Sequence, residues 1–110
     1  MKIKKLKQIT IGDVEWCMKW DKKEDGGSFS YPWGKKKQKG IIRISIVDEK
    51  VNPIRILGIL IHELKEIIQV EQSVRYDRGD ENKNYEFHYT HKDHTDLCAR
   101  LAGLLGQFIK

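Results

Sequence analysis

Asn52-Pro53-Ile54-Arg55-Ile56-Leu57-Gly58-Ile59-Leu60-Ile61-His62-Glu63-Leu64-Lys65-Glu66-Ile67-Ile68-Gln69 is the stretch on which the fold turns. Asn can accept a bond from an orphan amide at an N-cap, and Pro suits the first helical position, where no amide donor is needed. A helix therefore starts here, and its pattern carries it to about Gln72. At about 100° per residue, Ile56, Leu57, Leu60, Ile61, Leu64, Ile67 and Ile68 fall on one broad arc. Arg55, Gly58, Ile59, His62, Glu66 and Gln69 fall opposite, so the helix has two sides with different tasks.

Upstream, the pattern changes to a period of two. Val14, Trp16, Met18 and Trp20 alternate with Glu15, Cys17 and Lys19, as in a half-buried strand. Gly12-Asp13 separates them from Ile3, Leu6, Ile9 and Ile11, which predicts a β-hairpin. Residues 21–30, centred on Asp25-Gly26-Gly27, are polar and Gly-rich, and Tyr31-Pro32-Trp33-Gly34 leads into a lysine run. An exposed, flexible connection is expected across both. A third strand is expected over 40–47, with Ile42, Ile44 and Ile46 on one face and Ile41, Arg43, Ser45 and Val47 on the other.

Downstream, 73–89 contains Arg78-Gly79-Asp80 and Glu81-Asn82-Lys83-Asn84 and reads as a long loop, with a short ordered piece at Tyr85-Glu86-Phe87. Thr90 can cap a last helix over 91–109, whose apolar arc holds Leu97, Cys98, Leu101, Leu104, Leu105 and Phe108. Strands first and helices second give an α+β fold: a small antiparallel sheet of about three strands followed by two packed helices. At 110 residues the chain is expected to form one domain. Its parts are strands and a basic loop over 1–50, a helix over 52–72 and a C-terminal helix over 91–109.

Composition narrows the function classes. The chain is 39% hydrophobic and 34% charged, with a formal net charge of +5. The positive charge gathers at Lys2, Lys4, Lys5 and Lys7 and at Lys35, Lys36, Lys37 and Lys39. Nucleic acid is one acidic partner such patches could meet; a solvated lysine surface is the simpler reading, since no aromatic and Arg residues interleave with the run. Cys17 and Cys98 lie far apart and outside any C-x-x-C pair, which argues against a disulfide framework and a thiolate zinc site and suits a cytoplasmic protein. No stretch approaches the ~20 apolar residues of a membrane span.

His62, Glu63 and Glu66 carry the chemistry. His62 and Glu66, four residues apart, project from one side of the helix and can chelate zinc together. Glu63 points about a quarter-turn away, where an H-E-x-x-H helix holds the carboxylate that deprotonates activated water. Gly58, one turn earlier, leaves room either for a ligand or for close packing of the last helix. A third ligand is sought on that last helix. His94 is expected near the centre of its apolar arc, facing inward, with His91 and then His88 as alternatives. Two histidines and one carboxylate make the donor set of catalytic zinc sites, with one position left for water. Peptide hydrolysis is the natural reaction, and Tyr85 or Tyr89 could supply a phenol to the oxyanion. The competing readings are a solvated helix face and a non-catalytic binding protein in which zinc braces the two helices.

With these residues in place, the chain resembles short zincin-like metallopeptidase proteins common in phages and other mobile elements. The matching stretches are Gly40-Ile41-Ile42-Arg43-Ile44, then Leu60-Ile61-His62-Glu63-Leu64-Lys65-Glu66-Ile67-Ile68, then His94-Thr95-Asp96-Leu97 followed by Leu101. The resemblance implies zinc held by His62, Glu66 and His94, Glu63 as the catalytic carboxylate, and a protein or peptide substrate. Glu66 stands where better known peptidases of this type have histidine, and those enzymes have more chain with which to build a substrate cleft.

Overall fold

Gly12 and Asp13 close a two-residue turn between β1 (Gln8–Ile11) and β2 (Val14–Asp21), with Gly12 at a φ of 59° that a side chain would resist. The computed structural model of the chain describes residues 2–32, 39–73, 75–77, 85–88 and 90–109. Along β2 the alternation read from the sequence is reproduced, with Trp16 and Met18 buried and Glu15 and Lys19 exposed. β3 (Gly27–Ser30) and β4 (Gly40–Ser45) complete a four-stranded sheet of order β1-β2-β4-β3.

The sheet is mixed. β1 and β2 are antiparallel, as are β3 and β4, but β2 and β4 run parallel with Trp16 opposite Gly40 and Met18 opposite Ile42. The chain leaves β2, forms the edge strand β3, and returns to insert β4 between them. The sequence suggested three antiparallel strands; the fourth is β3, inside the segment expected to be a flexible connection. Its two-residue alternation is written in serine and glycine, with only Phe29 packed on the core. The preceding turn is held by Arg43, whose Nη1 donates to Asp21 Oδ2 at 2.9 Å and whose Nη2 donates to the Asp25 carbonyl at 3.4 Å.

Gly40 is required by packing: a Cβ there would collide with the Trp16 ring. Phe29 and Tyr31 stand edge-on to the same indole, at centroid distances of 6.1 and 5.4 Å. On β4, Ile42 and Ile44 are fully buried while Ile41 faces out, as the alternation predicts; Ser45, expected on the outer face, is also buried.

The first helix, α1 (Pro53–Glu71), has the expected Asn52 cap, whose side chain accepts from the Arg55 amide, and ends at Gln72. The second, α2 (His91–Phe108), begins with a capping box: Thr90 and Asp93 each bond the other's backbone amide. Between them, β5 (Arg75–Asp77) pairs antiparallel with β6 (Tyr85–Phe87), so the stretch expected as a long loop contains a small second sheet. One hydrophobic cluster joins Trp16, Ile42 and Ile44 of the sheet, Leu60, Leu64, Ile67 and Ile68 of α1, and Leu97, Leu104 and Phe108 of α2. Among the described residues no helix is long and apolar enough to cross a membrane.

Candidate metal centre

α1 covers the sheet with the arc that includes Ile56, Leu60, Leu64 and Ile67, and this orientation sets the depth of its polar residues. Glu63 lies at the edge of the arc and is buried at 5% exposure, with Gln69 at 2%. His62, one residue earlier, is exposed, and Glu66 is half-buried. The result is a graded cluster: an imidazole at the surface, one carboxylate at the rim and one beneath.

The His62 Nε2 atom is 2.9 Å from Glu66 Oε2 and 3.8 Å from Glu63 Oε2. One ligand atom from each of the three lies within 4.8 Å of the others. Bond lengths of about 2.0 to 2.2 Å and a tetrahedral angle separate two zinc donors by about 3.4 Å. The two observed distances bracket that value, so small side-chain rotations would let a divalent ion replace the His62–Glu66 hydrogen bond. Both donor types, imidazole nitrogen and carboxylate oxygen, are ordinary ligands of zinc.

Gly27 makes room for Glu63. A Cβ on Gly27 would lie 2.7 Å from Ile59 Cγ2 and 3.1 Å from both Glu63 Cγ and the Arg43 carbonyl. Only a residue without a side chain lets the start of β3 and the middle of α1 approach this closely. Gly26, Gly27, Arg55, Gly58, Ile59, His62 and Glu63 line an open depression of about 470 Å³. Its far end is fixed by Arg55, whose Nη1 and Nη2 grip Asp25 Oδ1 and Oδ2 at 2.7 and 2.6 Å, with Asp48 at 3.6 Å. Arg55 is thereby a structural clamp between α1 and the turn before β3. Gly58 opens onto the depression, and a Cβ there would meet nothing within 4 Å. Of its two readings, close packing of the last helix is the one this open space speaks against. Gly27 and Arg55 were not among the residues singled out from the sequence; the signal for the first is the Asp25-Gly26-Gly27 turn, but nothing local announces the ion pair of the second.

His94 is not brought to this cluster. Its side chain is exposed, not inward as expected, and the ligand group found among the described residues comes from α1 alone. Gln72, just past the end of α1, donates from Nε2 to the Asp93 carbonyl at 2.8 Å and to Asp96 Oδ2 at 3.0 Å. Ten residues of helix separate Gln72 from His62, about 15 Å along the axis. The first turn of α2 thus sits beside the wrong end of α1. The buried stripe of α2, Leu97, Leu104 and Phe108, does not extend back to His94. On its own helix, Cys98 Sγ lies 3.8 Å from Nε2 of His94; Cys98, expected in the apolar arc, is itself exposed. His91 and His88 are likewise exposed and outside the group.

Tyr89 and the Tyr85 side chain, the two candidate phenols, lie outside the described residues, as do Lys35, Lys36 and Lys37. Of the remaining lysines in the basic patches, Lys39 is 3.6 Å from Glu15 and Lys5 pairs with Glu49. Comparison with protein-family models, with curated proteins and with solved structures finds no match.

Proposed function

We propose that this protein is a zinc-dependent hydrolase of the peptidase type, with His62 and Glu66 as metal ligands and Glu63 as the general base. The reading rests on one observation: Nε2 of His62 lies 2.9 Å from Oε2 of Glu66, beside a depression that His62 and the buried Glu63 both line. A divalent ion held there would supply Lewis-acid activation of water and polarise a carbonyl. Glu63, whose Oε2 is 3.8 Å from Nε2 of His62, would take a proton from water and return it to a leaving amine. Burial holds its carboxylate in one position, which is what proton transfer in a defined direction needs.

A peptide is the substrate class that the surroundings favour. β3 borders the depression, and β4 is its only sheet neighbour among the described residues. Its other edge can pair with an extended chain, whose backbone amides and carbonyls would then pass the cluster. The metal-brace alternative loses support, because a brace must draw ligands from two elements and the ligand group here belongs to one helix. A nucleic-acid role has no arrangement of described residues to recommend it.

Glu63→Gln is the decisive variant. With zinc supplied, hydrolysis of a mixed peptide library should fall by about 10² to 10⁴-fold, the usual contribution of general acid–base catalysis, while bound zinc and thermal stability persist. Turnover undiminished in that variant removes Glu63 from its role, and no hydrolysis by the zinc-loaded native chain removes the peptidase reading.

A further inference from the structure

Away from the depression beside His62, the N-terminal segment 2–6 borders an open cavity of about 630 Å³. Three attachments hold that segment: Ile3 bridges Ile109, the Lys4 amide donates to the Phe108 carbonyl at 2.6 Å, and the Trp20 indole donates to the Leu6 carbonyl at 2.9 Å. The floor is apolar, formed by Leu6, Trp20, Ile46 and Ile56. Lys2, Lys4 and Lys5 also line the cavity, with Glu49 from the connection between β4 and α1. The volume falls within the ~300 to 1,000 Å³ of small-molecule sites, and a lining of apolar residues with a few charged ones is theirs as well.

The lining has a sign. Lys5 is paired with Glu49, whereas neither Lys2 nor Lys4 has an ion-pair partner among the described residues. Three lysines against one glutamate leave the lining net positive, which suits an anionic group. We propose that the cavity binds a free amphiphilic carboxylate, its aliphatic body against Leu6, Trp20, Ile46 and Ile56 and its anionic end among Lys2, Lys4 and Lys5. Burial of the chain supplies the affinity and the lysines select the charge. The site shares none of its lining residues with the metal cluster, so it stands or falls independently of the hydrolase reading.

Calorimetric and amide-NMR titrations of the full chain with decanoate, decanol and decyltrimethylammonium test this. Decanoate should bind at one equivalent and shift the Trp20 indole N–H and the residues of 2–6 and 46–56. The cation should not bind, and decanol should bind more weakly. Glu49→Gln, which frees Lys5, should tighten decanoate by about two- to fivefold, and the double variant Lys2→Glu with Lys4→Glu should weaken it by about five- to tenfold. Because Glu49 is at the surface, its variant reports even if the double variant folds poorly. Equal affinity for decanoate and decanol, shifts centred elsewhere, or binding seen only to vesicles containing anionic phospholipid would each overturn the proposal, the last by making the occupant a membrane.

Discussion

α1 and α2 each present a histidine with a second metal-compatible donor four residues on, His62 with Glu66 and His94 with Cys98, yet among the described residues only the first pair belongs to a group that could hold a metal ion. The local geometry is nearly the same, since any i, i+4 pair on a helix projects to one side. What differs is the neighbourhood. His62 stands beside an edge strand that approaches through Gly27, above a carboxylate already taken out of water. His94 stands in the turn of α2 that Gln72, at the end of α1, bonds through Asp93 and Asp96. Spacing proposes a ligand pair; the packing of the next element decides whether it becomes a cleft.

That contrast can be attacked first through the α2 core. Leu97, 2% exposed and one turn from His94, should cost about 2 to 5 kcal/mol when cut to alanine, whereas His94→Ala should change stability by less than about 0.5 kcal/mol. Urea denaturation of the two variants measures both. Comparable losses would show that the inward stripe includes His94 after all.

A smaller effect sharpens the α1 side. Gly27→Ala pushes a methyl group against Ile59, Glu63 and the Arg43 carbonyl. It should cost about 1 to 3 kcal/mol, the usual penalty of overpacking, and should displace Glu63, so that turnover falls further than the loss of folded protein accounts for. Stability equal to the native chain would mean that β3 does not need its close approach to α1.

The smallest effect concerns the turn leading into β3. The Asp21 carboxyl is held below the usual carboxylate range by the Lys23 and Glu24 amides, which donate to it, and by Arg43, against a weaker upward push from burial. Its ionised form therefore stabilises the fold above the ordinary carboxylate pKa of about 3.9, and that contribution disappears as the pH falls through the lower folded-state value. Asp21→Asn should lower the thermal midpoint slightly at pH 7, with the gap to the native chain closing in acid. A gap that stays constant with pH would assign the loss to the hydrogen bonds rather than to charge.

The helices were legible because their ends and faces are written locally: Asn52-Pro53 starts one, Thr90 and Asp93 start the other, and the apolar spacing fills both. β3 was not legible, because glycine and serine serve there as strand residues that let α1 come close, and their usual signal is a turn. The parallel pairing of β2 with β4 was equally hidden, as local alternation fixes which side faces inward but not which strand lies alongside. In the site, His62, Glu63 and Glu66 were readable from helical spacing alone. His94 misled because its position on the helical wheel is apolar-facing while the first turn of α2 lies beside the end of α1, ten residues on from His62, and a wheel contains no axial coordinate. Arg55 was invisible for a related reason: its carboxylate partner Asp25 is thirty residues away in sequence.

The central claim, that one helix holds the metal without help from the second, is tested most directly by measuring bound zinc after dialysis in the native chain, in His62→Ala and in His94→Ala. The account predicts near-equivalent zinc in the native chain and in His94→Ala, and a loss to background in His62→Ala. Zinc that vanishes with His94, or that survives the removal of His62, would contradict it.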